Sequence, residues 1–282
     1  MRFYQLRSTA NAASPANVTL RLKNSTAGRW IERAFILIFW FTLWAIAASL
    51  VASPLLLPAP LAVLSRLWEL FAAGAFWHAT SLSFLRVIGG ILLGISIGCL
   101  TAILTAGIPF LRALLKPMIT TVKSTPVASF IILVNLWLDH GILPVFISFL
   151  MVFPVVWANV DQGLRAVDPA HLALAHVYRF PVARTVRRIY IPTVRPYFIS
   201  ACRSSLGLAW KAGIAAEVLV PSVISIGKHL YESKLYLETT DLFAWTLMVI
   251  LFSLLLEALA DVLLRRLFVA QPEQAAQKEV TL

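Results

Sequence analysis

The chain has 282 residues, of which 60% are hydrophobic and 13% charged, and its formal net charge is +11. A soluble domain carries about 25% charged residues, so a mean hydropathy of +0.83 excludes an ordinary soluble enzyme and points to a polytopic membrane protein. The basic excess gives no ground for nucleic-acid binding, because membrane proteins concentrate Lys and Arg in cytoplasmic loops.

The expected fold class is all-α, with about six transmembrane helices and a cytoplasmic helix-turn-helix loop. Residues 1–33 form a basic leader containing Arg2, Arg7, Arg21, Lys23, Arg29 and Arg33. The first span covers 34–53 and ends at Pro54. Its leader is too long for a cleaved signal peptide, so an uncleaved anchor is expected. Residues 61–73 read as an amphipathic helix on the outer surface, where Trp68 and Trp77 suit an interface. The second span covers 84–106. Within it Gly90, Gly94, Gly98, Ala102 and Ala106 recur every fourth residue, a small-residue stripe that lets another helix approach closely. That stripe serves either packing within the chain or a subunit interface. A third span is expected at 118–138 and a fourth at 142–160. A polar loop at 161–197 follows, then spans at 198–220 and 242–264 and a tail at 267–282. The permease domain so defined is 34–266, because a bilayer core takes roughly 20 apolar residues per helix.

Charge sets the orientation. Besides the leader, Arg112 and Lys116 follow the second span. The polar loop holds Arg165, Arg179, Arg184, Arg187, Arg188 and Arg195, and Arg265 and Arg266 open the tail. On the other side Arg66, Lys228 and Lys234 are offset by Glu69, Glu232, Glu238 and Asp241. Both termini are therefore expected in the cytoplasm. That placement removes the glycosylation patterns at Asn17 and Asn24 from consideration. Cys99 and Cys202 lie in apolar segments and His171 and His176 point apart on a helix, so no metal site is expected. No phosphate loop or HExxH is present, and no catalytic residue is expected.

In the polar loop, Asp168-Pro169 is a helix start: a side-chain acceptor, then a residue with φ already set. A helix is expected through about Tyr178, broken by Arg179-Phe180-Pro181. A second helix from Val182 should reach Ile191 and end at Pro192. Leu172, Leu174, Val177 and Tyr178 put apolar side chains on what would otherwise be a merely charged loop.

These residues resemble the membrane subunits of binding-protein-dependent ABC importers. Their loop is written Glu-Ala-Ala, three residues, Gly, nine residues, Ile-x-Leu-Pro. Here Ala173-Leu174-Ala175 precedes Arg179 by three residues, and nine more lead to Ile189-Tyr190-Ile191-Pro192. The sulfonate, nitrate and taurine branch is resembled by Leu57-Pro58-Ala59-Pro60, by Ser81 with Leu82-Ser83-Phe84-Leu85-Arg86-Val87, and by Val167-Asp168-Pro169. Leu206-Gly207-Leu208-Ala209-Trp210 and Ala216-Glu217 continue the match, which runs from about Pro54 to Leu264.

The resemblance implies a type I importer permease of the bacterial inner membrane. A cytoplasmic ATPase dimer would grip the loop at Asp168, Ala173, Ala175, Val177, Tyr178, Arg179, Phe180, Ile189 and Pro192. ATP and Mg would be held by that ATPase and no cofactor by this chain. A second permease subunit and an extracytoplasmic solute-binding protein complete the implied set. Two departures stand out. Ala173 replaces Glu, and Arg179 replaces Gly; if the break needs a left-handed residue, a side chain there costs about 1–2 kcal/mol, so either the turn differs or the strain is tolerated. Either the chain is the divergent half of a heterodimer, or it forms a homodimer with a co-adapted ATPase.

Two charges fall inside the fifth span. Lys211 and Glu217 are six residues apart and so on opposite sides of a helix. Glu217 suits a structural or gating role. Lys211 either lines the path and attracts an anion or binds a partner carboxylate or backbone carbonyls. Lys123 faces the same cavity or snorkels inward. Asn135, with Trp137 and Asp139, lies toward the outer end of the third span, and Glu257 is expected to pair with Arg265 or a neighbouring loop. A channel or secondary transporter is the alternative, but no inverted repeat supports it. A membrane enzyme would need clustered ionisable groups, whereas those in the spans are isolated.

Overall fold

A computed structural model describes residues 26–221 and 224–269. Most of the basic leader, both glycosylation patterns and most of the tail lie outside the described residues. The chain divides into two compact units, Met1–Ala62 and Val63–Leu282. The described part of the first is α1, Thr26–Val51, which has no charged residue after Arg33. It ends where Ala52 takes a left-handed φ of 51°, and the amides of Leu56 and Leu57 then bond to the Ser53 carbonyl.

The described residues of the second unit form helices joined by short turns. Helix α2, Pro60–Ala72, is the expected surface helix; it buries Val63, Leu67 and Leu70 and exposes Trp68. Helix α3, Gly74–Gly107, begins ten residues before the expected second span. The polar residues between Gly74 and Phe84 include no proline, so nothing interrupts the backbone ladder.

The expected third span is not one helix. Residues 109–134 form α4, Pro109–Ser124, and α5, Val127–Val134, bent by 105°. The break is local chemistry: Thr125 is extended (φ −83°, ψ 132°) because the ring of Pro126 crowds helical geometry in its predecessor.

Helix α6, Leu143–Arg165, packs against α3 on one side and against the later helix of the fifth span on the other, and is buried along most of its length. The polar loop starts with α7, Pro169–Val177, and α8, Val182–Thr185. The expected stop at Pro192 does not occur. Residues 186–190 form a wider turn in which Ile191 N–H bonds to the Val186 carbonyl, and α9, Ile191–Leu219, continues directly. Pro192 lies in the first turn of α9, where a missing N–H costs little. The widened turn fits its ring. Helix α9 spans roughly 43 Å at 1.5 Å per residue. It is long enough to cross a membrane and contains nearly all of the expected fifth span at 198–220. Helices α10, Ile226–Leu235, and α11, Thr239–Val269, complete the fold.

Among the described residues four helices are long and apolar enough to span a bilayer: α1, α3, α6 and α11. The bent α4–α5 pair adds a fifth if it counts as one span. Indole N–H groups tie the core together across helices. Trp157 donates to Thr105 Oγ1 (3.1 Å) and Trp210 to the Val249 carbonyl (3.0 Å).

Candidate functional site

The polar loop is a small, ordered knob. Asp168 is extended, and its carboxylate accepts from Ala170 N–H at 2.8 Å, satisfying a free amide at the start of α7. At the other end, Arg179 N–H bonds to the His176 carbonyl at 3.0 Å and Phe180 N–H to the Ala175 carbonyl at 2.8 Å. This pair of bonds is the Schellman closure, which needs a left-handed residue at the first position after the cap. Arg179 supplies it, with φ 48°. The turn expected of a glycine is therefore built around an arginine.

Ala175 is buried under the turn. Ala173, Leu174, Val177, Tyr178 and Arg179 face outward, with Val177 75% and Tyr178 67% exposed. The Arg184 guanidinium carbon sits 5.4 Å from the centre of the Phe180 ring, a cation–π arrangement that braces the second half of the knob. Ile189 is half-buried in the widened turn, and Pro192 is exposed in the first turn of α9. Beneath the knob, buried Asp161 on α6 receives Arg112 of α4 at 2.7 Å and Arg165 at 3.3 Å. Neither Asp161 nor this bridge was anticipated. The available signal was that Asp161 is one of two carboxylates in a strongly basic stretch.

Helix α9 separates its charges as the spacing requires. Lys211 is exposed and makes no side-chain hydrogen bond or ion pair among the described residues, while Glu217 is wholly buried. Glu217 accepts from Ser83 Oγ at 2.7 Å and from Gly227 N–H at 3.3 Å, and pairs with Arg86 at 3.3 Å. Ser83 also receives Ile226 N–H at 2.9 Å, and Arg86 donates to the Ile224 carbonyl at 2.9 Å. A Cβ on Gly227 would overlap Glu217, so glycine is required for this approach. Sequence reasoning missed Ser83, Arg86 and Gly227 as partners. Two of them lie inside a stretch already singled out, but nothing local pointed to Glu217.

Between α2 and α11, Arg66 grips Asp241 through two hydrogen bonds, one of 2.9 Å from Nη2, and reaches Glu69 at 2.7 Å. These bonds, the Asp241 one foremost, hold the Arg66 guanidinium proton above its ordinary range. His229 stacks face to face on Trp245 at 4.6 Å, and burial there pushes its imidazole pKa down.

The comparison with known proteins decides what this arrangement belongs to. Residues 90–269 match the family described as binding-protein-dependent transport system inner membrane component. The chain belongs to that family. It is an ABC importer permease subunit. It is 24% identical to the taurine transport system permease protein TauC of Escherichia coli over 240 residues, 83% of this chain and 86% of TauC. It is similar in fold to a bacterial ABC transporter involved in the import of the acidic polysaccharide alginate. There the TM-score is 0.58 at 16% identity, over 88% of this chain and 99% of that one. A structure of the alginate transporter in complex with an alginate pentasaccharide-bound periplasmic protein is matched with a TM-score of 0.53 at 16% identity, over 88% and 98% of the two chains.

In this permease subunit the remaining sequence candidates fall in separate places. Lys123 is exposed in the last turn of α4, and Asn135 caps α5 with a buried Oδ1 that has no hydrogen-bond partner among the described residues. Glu257 does not pair with Arg265; it accepts from Ser253 at 3.4 Å and lies against Gly207, where a side chain would displace it. Gly90, Gly94 and Gly98 lie against α6 of the same chain. A Cβ on each would meet Ser148 Cβ at 2.7 Å, Val152 Cβ at 2.6 Å and Val156 Cβ at 3.0 Å respectively.

Proposed function

We propose that this chain forms half of a translocation path for a small anionic solute and is driven by a separate ATPase that grips the 167–197 knob. A second permease subunit completes the path, an extracytoplasmic binding protein delivers the solute, and both termini are cytoplasmic. The observation that carries the reading is the closed, capped turn at Arg179. It presents exposed Leu174, Val177 and Tyr178 as a rigid docking surface on a chain whose own sequence holds no phosphate loop.

The anion reading rests on the exposed side of α9, where Ser200, Arg203, Ser204 and Lys211 lie. Arg203 is neutralised by Asp261 at 2.7 Å, which leaves Lys211 as the charge available to a solute. A lysine facing lipid at mid-membrane costs about 2.5–3.5 kcal/mol, so a water-lined path or a partner subunit is the better surrounding. The taurine of the TauC transport system carries a sulfonate, which a cationic path would attract.

The test is co-purification from the native membrane followed by ATP-dependent uptake in proteoliposomes. An ATPase should accompany the chain, and Lys211→Met should abolish uptake while leaving the complex assembled. Unchanged uptake would remove the anion role of Lys211. Uptake that needs no ATPase would favour an autonomous transporter.

A further inference from the structure

The knob carries charge of one sign. Residues 169–216 contain no Asp or Glu, and Asp168 is already engaged in capping α7. Arg179, Arg184, Arg187 and Arg188 are all exposed, and exposed Ala173 adds no carboxylate. Arg184 is occupied with the Phe180 ring, whereas Arg179 makes no side-chain hydrogen bond or ion pair among the described residues.

Arg179 is also held in place. Its backbone sits in a conformation that glycine adopts freely and a side chain resists, and both terminal hydrogen bonds close around it. The result is a cationic side chain whose point of attachment is fixed just beyond the end of α7, beside the exposed apolar pair Val177 and Tyr178. A fluid layer of lipid headgroups gains nothing from such fixed placement. A rigid groove with a carboxylate at one position does, because an arginine fork pairs with a carboxylate in a defined two-bond geometry.

We propose that the ATPase groove receiving this knob is acidic, and that a carboxylate of that ATPase faces Arg179. This rests on the importer reading above. It assigns the departure from glycine a purpose: the knob is an intact dock of altered charge, matched by a co-adapted partner.

The experiment uses the full-length permease purified with its ATPase. In an Arg179→Lys variant, a zero-length carbodiimide coupling should join the side-chain amine to an Asp or Glu of the ATPase, identified by mass spectrometry. Arg179→Glu should lower ATPase retention by about tenfold or more, and high salt should weaken retention by the unaltered chain. Arg179→Gly relaxes the turn, so ATPase loss in that variant reports the missing cation rather than a misfolded loop. Equal retention by all three variants, with no cross-link to the ATPase, would overturn the proposal. So would retention of the ATPase by Arg179→Glu together with loss of bound phosphatidylglycerol, which would make the knob a lipid contact. An unaltered chain that retains no ATPase would instead overturn the importer reading itself.

Discussion

Glu217 is an ionisable residue inside the expected fifth span, and the structure explains why it is tolerated. The carboxylate is wholly buried but meets a hydroxyl, a backbone amide and the partly buried guanidinium of Arg86. Burying a charge is costly unless it is paired and hydrogen-bonded, and here it is both. Removing one member leaves the other stranded, so Glu217→Ala should destabilise the protein by about 3–5 kcal/mol, measured by denaturant unfolding in detergent. Arg86→Ala combined with Glu217→Ala should cost less than the two separate losses added together, because the pair fails as a unit. Strict additivity would show that the two side chains do not depend on each other. The sequence displayed Glu217 as a buried-charge candidate and Arg86 as part of a motif. Their pairing was invisible because 131 residues separate them.

At the level of the element, α3 and α6 show how a local pattern acquires meaning from its partner. The four-residue recurrence of small side chains was legible, since i and i+4 share one helix face. Which helix would cover that face was not. The contact gives a signed prediction within one helix. Gly94→Ala drives a Cβ to 2.6 Å from Val152 and should destabilise by about 1–3 kcal/mol. Its neighbour Gly89→Ala meets nothing within 4 Å and should be neutral or stabilise by about 0.5–1 kcal/mol. Thermal unfolding of the two variants in detergent checks this, and equal effects would refute the packing account. The bend at Pro126 and the continuity through Pro192 carry a related lesson. Both prolines were visible, but one follows an extended residue between helices and the other occupies a first turn. A proline's effect depends on where the helix begins, which apolar content alone misjudged at both sites.

For the whole molecule, the charge asymmetry predicts topology. The asymmetry puts Lys234 on the extracytoplasmic side and the Arg179 knob on the cytoplasmic side as an expected outcome, and both residues are exposed. In a background lacking Cys99 and Cys202, Lys234→Cys should react with a membrane-impermeant maleimide in intact spheroplasts. Arg179→Cys should react only after permeabilisation, and the reverse pattern would invert the orientation.

The sequence by itself determined the membrane class, the charge asymmetry of the chain and the capped start and break of α7. Each depends on composition or on residues within one or two turns of each other, where backbone sterics and capping act locally. The tertiary structure alone decided that Arg86 meets Glu217, that α6 covers the glycine face of α3 and that Asp161 receives Arg112 of α4. Those contacts arise when helices distant in the chain pack together, and side-chain pairing across such an interface is set by depth and rotation rather than by neighbouring residues.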